Sequence, residues 1–149
     1  MCNAEYIDGG AGDDVIVGGL GNDSLVGGAG SDRFGFSTGA LFDPVTIGKD
    51  LIADLEAADF IVLSKTTFTA SSGDVFSGGT AIAAADFATI VTGGATAAGA
   101  SSALIVYETS TGALYYNQDR ATAGLGAGGQ FATVSGAPAI AASQILIVG

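Results

Sequence analysis

A nine-residue unit runs three times without a gap, as Gly9-Gly10-Ala11-Gly12-Asp13-Asp14-Val15-Ile16-Val17, Gly18-Gly19-Leu20-Gly21-Asn22-Asp23-Ser24-Leu25-Val26 and Gly27-Gly28-Ala29-Gly30-Ser31-Asp32-Arg33-Phe34-Gly35. The shared pattern is G-G-x-G-x-D-x-U-x, with U a large apolar residue. A flexible Gly-Asp linker has no reason to hold an apolar side chain in register at position eight, so the pattern reads as ordered repeats. The chain has 25 glycines and only 2 prolines, and the clustering of glycine at fixed spacing points to recurring tight turns. Charge is one-sided as well. Fifteen acidic residues face 4 basic ones, for a net charge of -11, which disfavours nucleic acid or an anionic membrane as partner and favours cations. Eleven of the acids lie in residues 1–59.

The nonapeptide resembles the signature of the RTX, or haemolysin-type calcium-binding, family. That resemblance implies an all-β chain built on a short right-handed parallel β-roll, followed by a β-rich C-terminal cap. Each unit is then a turn plus a strand, two units close a coil of eighteen residues, and like turns stack along one edge. The glycines admit backbone conformations closed to other residues. The Asp at position six joins backbone carbonyls in the all-oxygen shell that Ca²⁺ requires. Ile16, Leu25 and Phe34, at position eight, point inward. Asp14 and Asp32 are eighteen residues apart and belong on adjacent rungs of one edge, with Asp23 opposite. Carboxylates a strand spacing of ~4.8 Å apart repel without a cation, so folding and metal binding are expected as one event. Site affinities of roughly 10⁻⁴ to 10⁻³ M are usual for extracellular modules. The ligands the resemblance implies are the carbonyls of Gly9 and Ala11 with Asp14, those of Gly28 and Gly30 with Asp32, and those of Gly19 and Gly21 with Asp23.

Upstream, the register places Asn3, Glu5 and Ile7 where Gly, Asp and U would fall, as in a fragment of a longer array or a degenerate capping repeat. Downstream it breaks through Ser37 to Thr46 and resumes at Gly48-Lys49-Asp50. Asp50-Leu51-Ile52-Ala53-Asp54-Leu55 and Asp59-Phe60-Ile61-Val62-Leu63-Ser64 resemble the stretch that follows the repeats in serralysin-type proteases and alginate epimerase modules. There it ends the roll and supplies acids to a last calcium site, which makes Asp50, Asp54 and Asp59 further metal candidates.

The remainder reads as strands at Ile61 to Leu63, Ile90 to Thr92, Leu104 to Glu108, Ala113 to Asn117, Phe131 to Val134 and Ile145 to Val148. Thr111-Gly112 is a hairpin turn. Ala81 to Phe87 echoes Ala139 to Ile145, each a short helical turn leading into a strand. Residues 1–63 are expected to form the calcium-binding roll, and 64–149 its cap with a secretion signal at the extreme C-terminus. The C-terminal half also resembles the ends of bacterial haemolysin-type proteins. Membership implies a secreted or cell-surface location, export by a type I secretion system, and an upstream domain of the same parent protein as partner. No stretch reads as a membrane-inserting helix. With no His, Ser-His and Cys-His pairs are excluded, and no enzyme activity is expected. The lone Cys2 leaves metal, not an internal disulfide, as the staple. The alternative function is calcium-dependent binding of polysaccharide or a cell surface, with Tyr115, Tyr116 and Phe131 as an aromatic platform. Alternation should then bury one of the two tyrosines.

Overall fold

The computed structural model describes residues 3–69, 80–120 and 124–149, so Cys2 lies outside the described residues. Among the described residues the fold is all-β apart from one short helix, α1 (Gly94–Gly99), and two single 3-10 turns. Each repeat contributes to β1 (Tyr6–Ala11), β2 (Val15–Val17), β3 (Ser24–Ala29) or β4 (Arg33–Phe36). β1 runs parallel to β3, with Ile7 beside Leu25 and Gly10 beside Gly28, and β2 runs parallel to β4, with Ile16 beside Phe34. Both offsets equal two repeats.

β5 (Asp50–Ile52) and β6 (Phe60–Ser64) continue the two ladders in parallel, pairing Leu25 with Ile52 and Phe34 with Ile61. Their offset is longer by one repeat length. The excess falls in the link between β4 and β5, where residues 37–47 drop Phe42 and Ile47 into the core. β11 (Gly129–Val134) then lies parallel to β5, and β12 (Ile145–Val148) parallel to β6. Two inward columns result, Ile7-Leu25-Ile52-Val134 and Ile16-Phe34-Ile61-Ile145. All but the first residue are buried, and each buried side chain of this size contributes roughly 1.5–3 kcal/mol.

Antiparallel pairs enter only in the C-terminal half, so both sheets are mixed. One sheet ends with β10 (Ala113–Tyr116), β9 (Ile105–Glu108) and β8 (Phe87–Ile90), the other with β7 (Thr80–Ala81). The hairpin between β9 and β10 turns at Gly112, whose φ is 77°. Both expected helical turns are present as 3-10 turns, Ala84–Asp86 and Ala142–Gln144, each leading directly into a strand. The strand expected at Ile90 to Thr92 lies earlier, as β8, and Val91 beyond it is exposed.

Both tyrosines of β10 are buried, against the expectation of one. Helix α1 explains it, since Ala98 packs with Val106 and Tyr115 in a second small core on the far side of the sheet. Tyr116 instead joins Phe42, Phe68 and Phe131, with centroids 4.8–5.3 Å apart for the pairs Phe42–Tyr116, Phe68–Phe131 and Phe68–Tyr116. Tyr115, Tyr116 and Phe131 therefore offer no exposed platform.

Candidate metal centre

The glycine turns stack on two edges. In the first two, Gly10 and Gly28 share a φ near 92–93°, in the left-handed region that side chains avoid. Stacking sets a second demand. A Cβ on Gly28 would stand 1.9 Å from the carbonyl oxygen of Gly10, and one on Gly48 would stand 1.7 Å from that of Gly21. The turns approach too closely for any side chain there.

Carboxylates bind successive turns together. On one edge the amide of Asp14 donates to Oδ1 of Asp32 at 2.9 Å, and the amide of Asp32 to Oδ1 of Asp59 at 3.0 Å. On the opposite edge the amide of Glu5 donates to Oδ1 of Asp23 at 2.9 Å, and that of Asp23 to Oδ1 of Asp50 at 3.0 Å. Asp23, Asp32, Asp50 and Asp59 each spend one oxygen on the turn above. Oδ2 of Asp14, Asp23 and Asp32 is buried, with no hydrogen-bond donor. A Cβ on Gly9, Gly18 or Gly27, the first glycine of each repeat, would fall 2.4–2.9 Å from that same oxygen.

An unpaired buried carboxylate oxygen is expensive, and each of the three demands a partner. Burial pushes the Asp50 carboxyl up to about 7, the amide of Asp23 partly offsets this, and the Asp23 charge adds to the rise. Among the described residues no three acidic side chains converge, so carbonyl oxygens have to complete any shell of six to eight oxygens. The donors, all oxygen and partly anionic, fit a hard divalent cation rather than zinc or copper.

The expected candidates distribute as follows. Gly9, Ala11 and Asp14 form the first turn of one edge, and Gly28, Gly30 and Asp32 the turn stacked on it, tied by the amide of Gly12 to the carbonyl of Ala29 at 2.7 Å. Gly19, Gly21 and Asp23 lie on the other edge, next to Gly48 and Asp50. Asp59 extends the first edge, and its Oδ2 accepts from the amide of Glu56 at 2.7 Å. Asp54 also belongs to that edge but is engaged on both oxygens, by the amides of Gly27 and Gly28 at 2.8 and 2.9 Å.

Position five, to which the repeat pattern assigns no role, also bridges the rungs. Asp13 accepts from the amide of Ser31 at 2.9 Å, Asn22 from that of Lys49 at 2.8 Å, and the Ser31 hydroxyl donates to the carbonyl of Ala58 at 2.6 Å. The signal was present, since all three repeats carry a polar residue there.

The family model for the RTX calcium-binding nonapeptide repeat matches residues 3–34, in four copies. Residues 3–34 are RTX repeats. Their family binds calcium ions, and its model begins at Asn3, inside the degenerate unit that carries Glu5. No curated protein and no solved structure matches the chain. No helix among the described residues is long and apolar enough to cross a membrane.

Proposed function

We propose that the chain is a calcium-triggered folding module, a short right-handed parallel β-roll over residues 1–63 with a β-rich cap over 64–149. One observation carries the reading: the buried, donor-free Oδ2 atoms of Asp14, Asp23 and Asp32. Without cation, the stacked carboxylates repel and their desolvation opposes folding. With Ca²⁺ between turns the same oxygens become ligands, and the binding free energy becomes folding free energy. Asp14 and Asp32 would hold one ion with the carbonyls of Gly9, Ala11, Gly28 and Gly30. Asp23 would hold another with those of Gly19 and Gly21, while Asp50, Asp54 and Asp59 serve the last rung.

Such a module is unfolded where calcium is scarce and folds where it is abundant, which suits export by a type I secretion system and stabilisation of an upstream passenger outside the cell. Catalysis forms no part of the proposal, because the acids are accounted for by turn positions and the chain has no His. Equilibrium dialysis followed by metal analysis tests the ligand assignment. Asp14→Asn, Asp23→Asn and Asp32→Asn should each lower bound calcium, and unchanged stoichiometry and affinity in all three would refute it.

A further inference from the structure

Far from the repeats, the C-terminal half holds two more oxygens in the same predicament. Oδ1 of Asn117 and Oδ1 of Asp119 are both buried, and among the described residues no donor reaches either. Asn117 is fully enclosed, and its Nδ2 donates to the carbonyls of Ala98 at 3.3 Å and Ser101 at 2.7 Å. Turning the amide over would set its oxygen against those two carbonyls, so Oδ1 is held on the other side as a bare acceptor.

Both residues lie in the turn that leaves β10, where three segments meet. The end of α1 supplies the carbonyls that hold Asn117, and a Cβ on Gly99 would stand 2.8 Å from the carbonyl oxygen of Gly124. The stretch that starts at Gly124 folds back on the turn, with the amide of Gln118 donating to the carbonyl of Leu125 at 3.3 Å and that of Ala127 to Oε1 of Gln118 at 3.1 Å. Asp119 packs on Gly126, where a Cβ would fall 3.0 Å from Oδ2. The first glycine of each repeat stands against its aspartate in the same way. Arg120, the adjacent cation, is turned to Asp86 at 2.9 Å.

We propose that this corner is a further divalent-cation site, separate from the glycine turns, with Oδ1 of Asn117 and Oδ1 of Asp119 as its side-chain ligands. Two residues apart, their backbones are separated by at most about 7 Å. One ion with ligands at about 2.3–2.6 Å bridges side chains at that spacing. An amide oxygen, a carboxylate and nearby backbone carbonyls are hard donors suited to calcium. A bound ion ties the end of α1 to β10, so the cap answers to calcium by itself as well as through the roll.

Manganese takes similar oxygen ligands and serves as a paramagnetic probe. Trace Mn²⁺ added to the calcium-saturated chain should broaden the proton–nitrogen NMR signals of Gln118, Asp119 and Gly126 as well as those of the repeats. In Asp119→Asn the cap signals should stay sharp while the repeats still broaden, and equilibrium dialysis should find one calcium fewer per chain. Broadening confined to the repeats in the wild type, or cap broadening and a calcium count that ignore the substitution, overturns the inference. Should circular dichroism show Asp119→Asn unfolded in saturating calcium, the wild-type pattern decides alone. Broadening confined to the cap would support this site and count against the ligands assigned in the repeats, so the two readings fail separately.

Discussion

The amide of Asp14 meets the carboxylate of Asp32 at 2.9 Å across two stacked turns, and the second oxygen of Asp32 is left buried without a donor. One side chain thus ties the rungs together and keeps an oxygen for the cation proposed above. Asp32→Asn keeps an acceptor for that amide but removes the charge. Calcium-dependent folding, followed by circular dichroism, should need at least about tenfold more calcium, equivalent to ~1.4 kcal/mol. A midpoint unchanged by the substitution contradicts a ligand role.

Gly28→Ala and Gly136→Ala separate turn stacking from backbone conformation. Both residues have positive φ, 92° and 73°, so alanine at either costs about 1–2 kcal/mol. Only at Gly28 does the new methyl collide with a neighbouring turn, 1.9 Å from the Gly10 carbonyl, whereas nothing lies near Gly136. Gly28→Ala should abolish the calcium response, and Gly136→Ala should only lower Tm. Equal effects would mean that close stacking of the turns is unimportant.

The repeat, the all-β class and the neighbourhood of Asp14 and Asp32 were legible because a nine-residue period fixes both which residues turn and which rung they join. The Thr111-Gly112 hairpin was legible from local turn chemistry. Pairing of β11 with β5 and of β12 with β6 was not, since contacts across some eighty residues leave no local pattern. Helix α1 is hidden in a Gly, Ala, Ser and Thr stretch with no apolar period, and without it alternation predicts burial of only one of Tyr115 and Tyr116, where both are buried. At the candidate site, the period located the position-six acids. It did not show that Asp54 would sit on two amides, because that depends on the insertion at 37–47 setting the third rung.

Gln144 fastens the C-terminal strand to the last turn. Its Nε2 donates to the carbonyls of Glu56 at 3.1 Å and Asp59 at 3.4 Å, just ahead of β12. Gln144→Ala should reduce amide exchange protection across Ile145–Val148 by about 1 kcal/mol in calcium, as expected for a lost hydrogen bond. Protection equal to wild type would show the tie to be incidental.

Glu108 supplies an acid-sensitive element away from the repeats. The Thr111 hydroxyl, at 2.7 Å, and the Gly94 amide, at 3.0 Å, hold its carboxyl below the usual 4.5. A depressed folded-state pKa means that the stabilisation is present above the unfolded value and is lost as pH falls through the lowered one. In saturating calcium, the Tm difference between wild type and Glu108→Gln should be largest near neutral pH and shrink in acid. A difference independent of pH would remove Glu108 from this role.

The central claim is that the stacked acids tolerate one another only around bound cations. Far-UV circular dichroism of the chain, first in excess chelator and then through a calcium titration, examines it most directly. The expected course is a largely unfolded spectrum that converts to β-structure in a saturable, chelator-reversible transition. The same β-rich spectrum with and without calcium would contradict it.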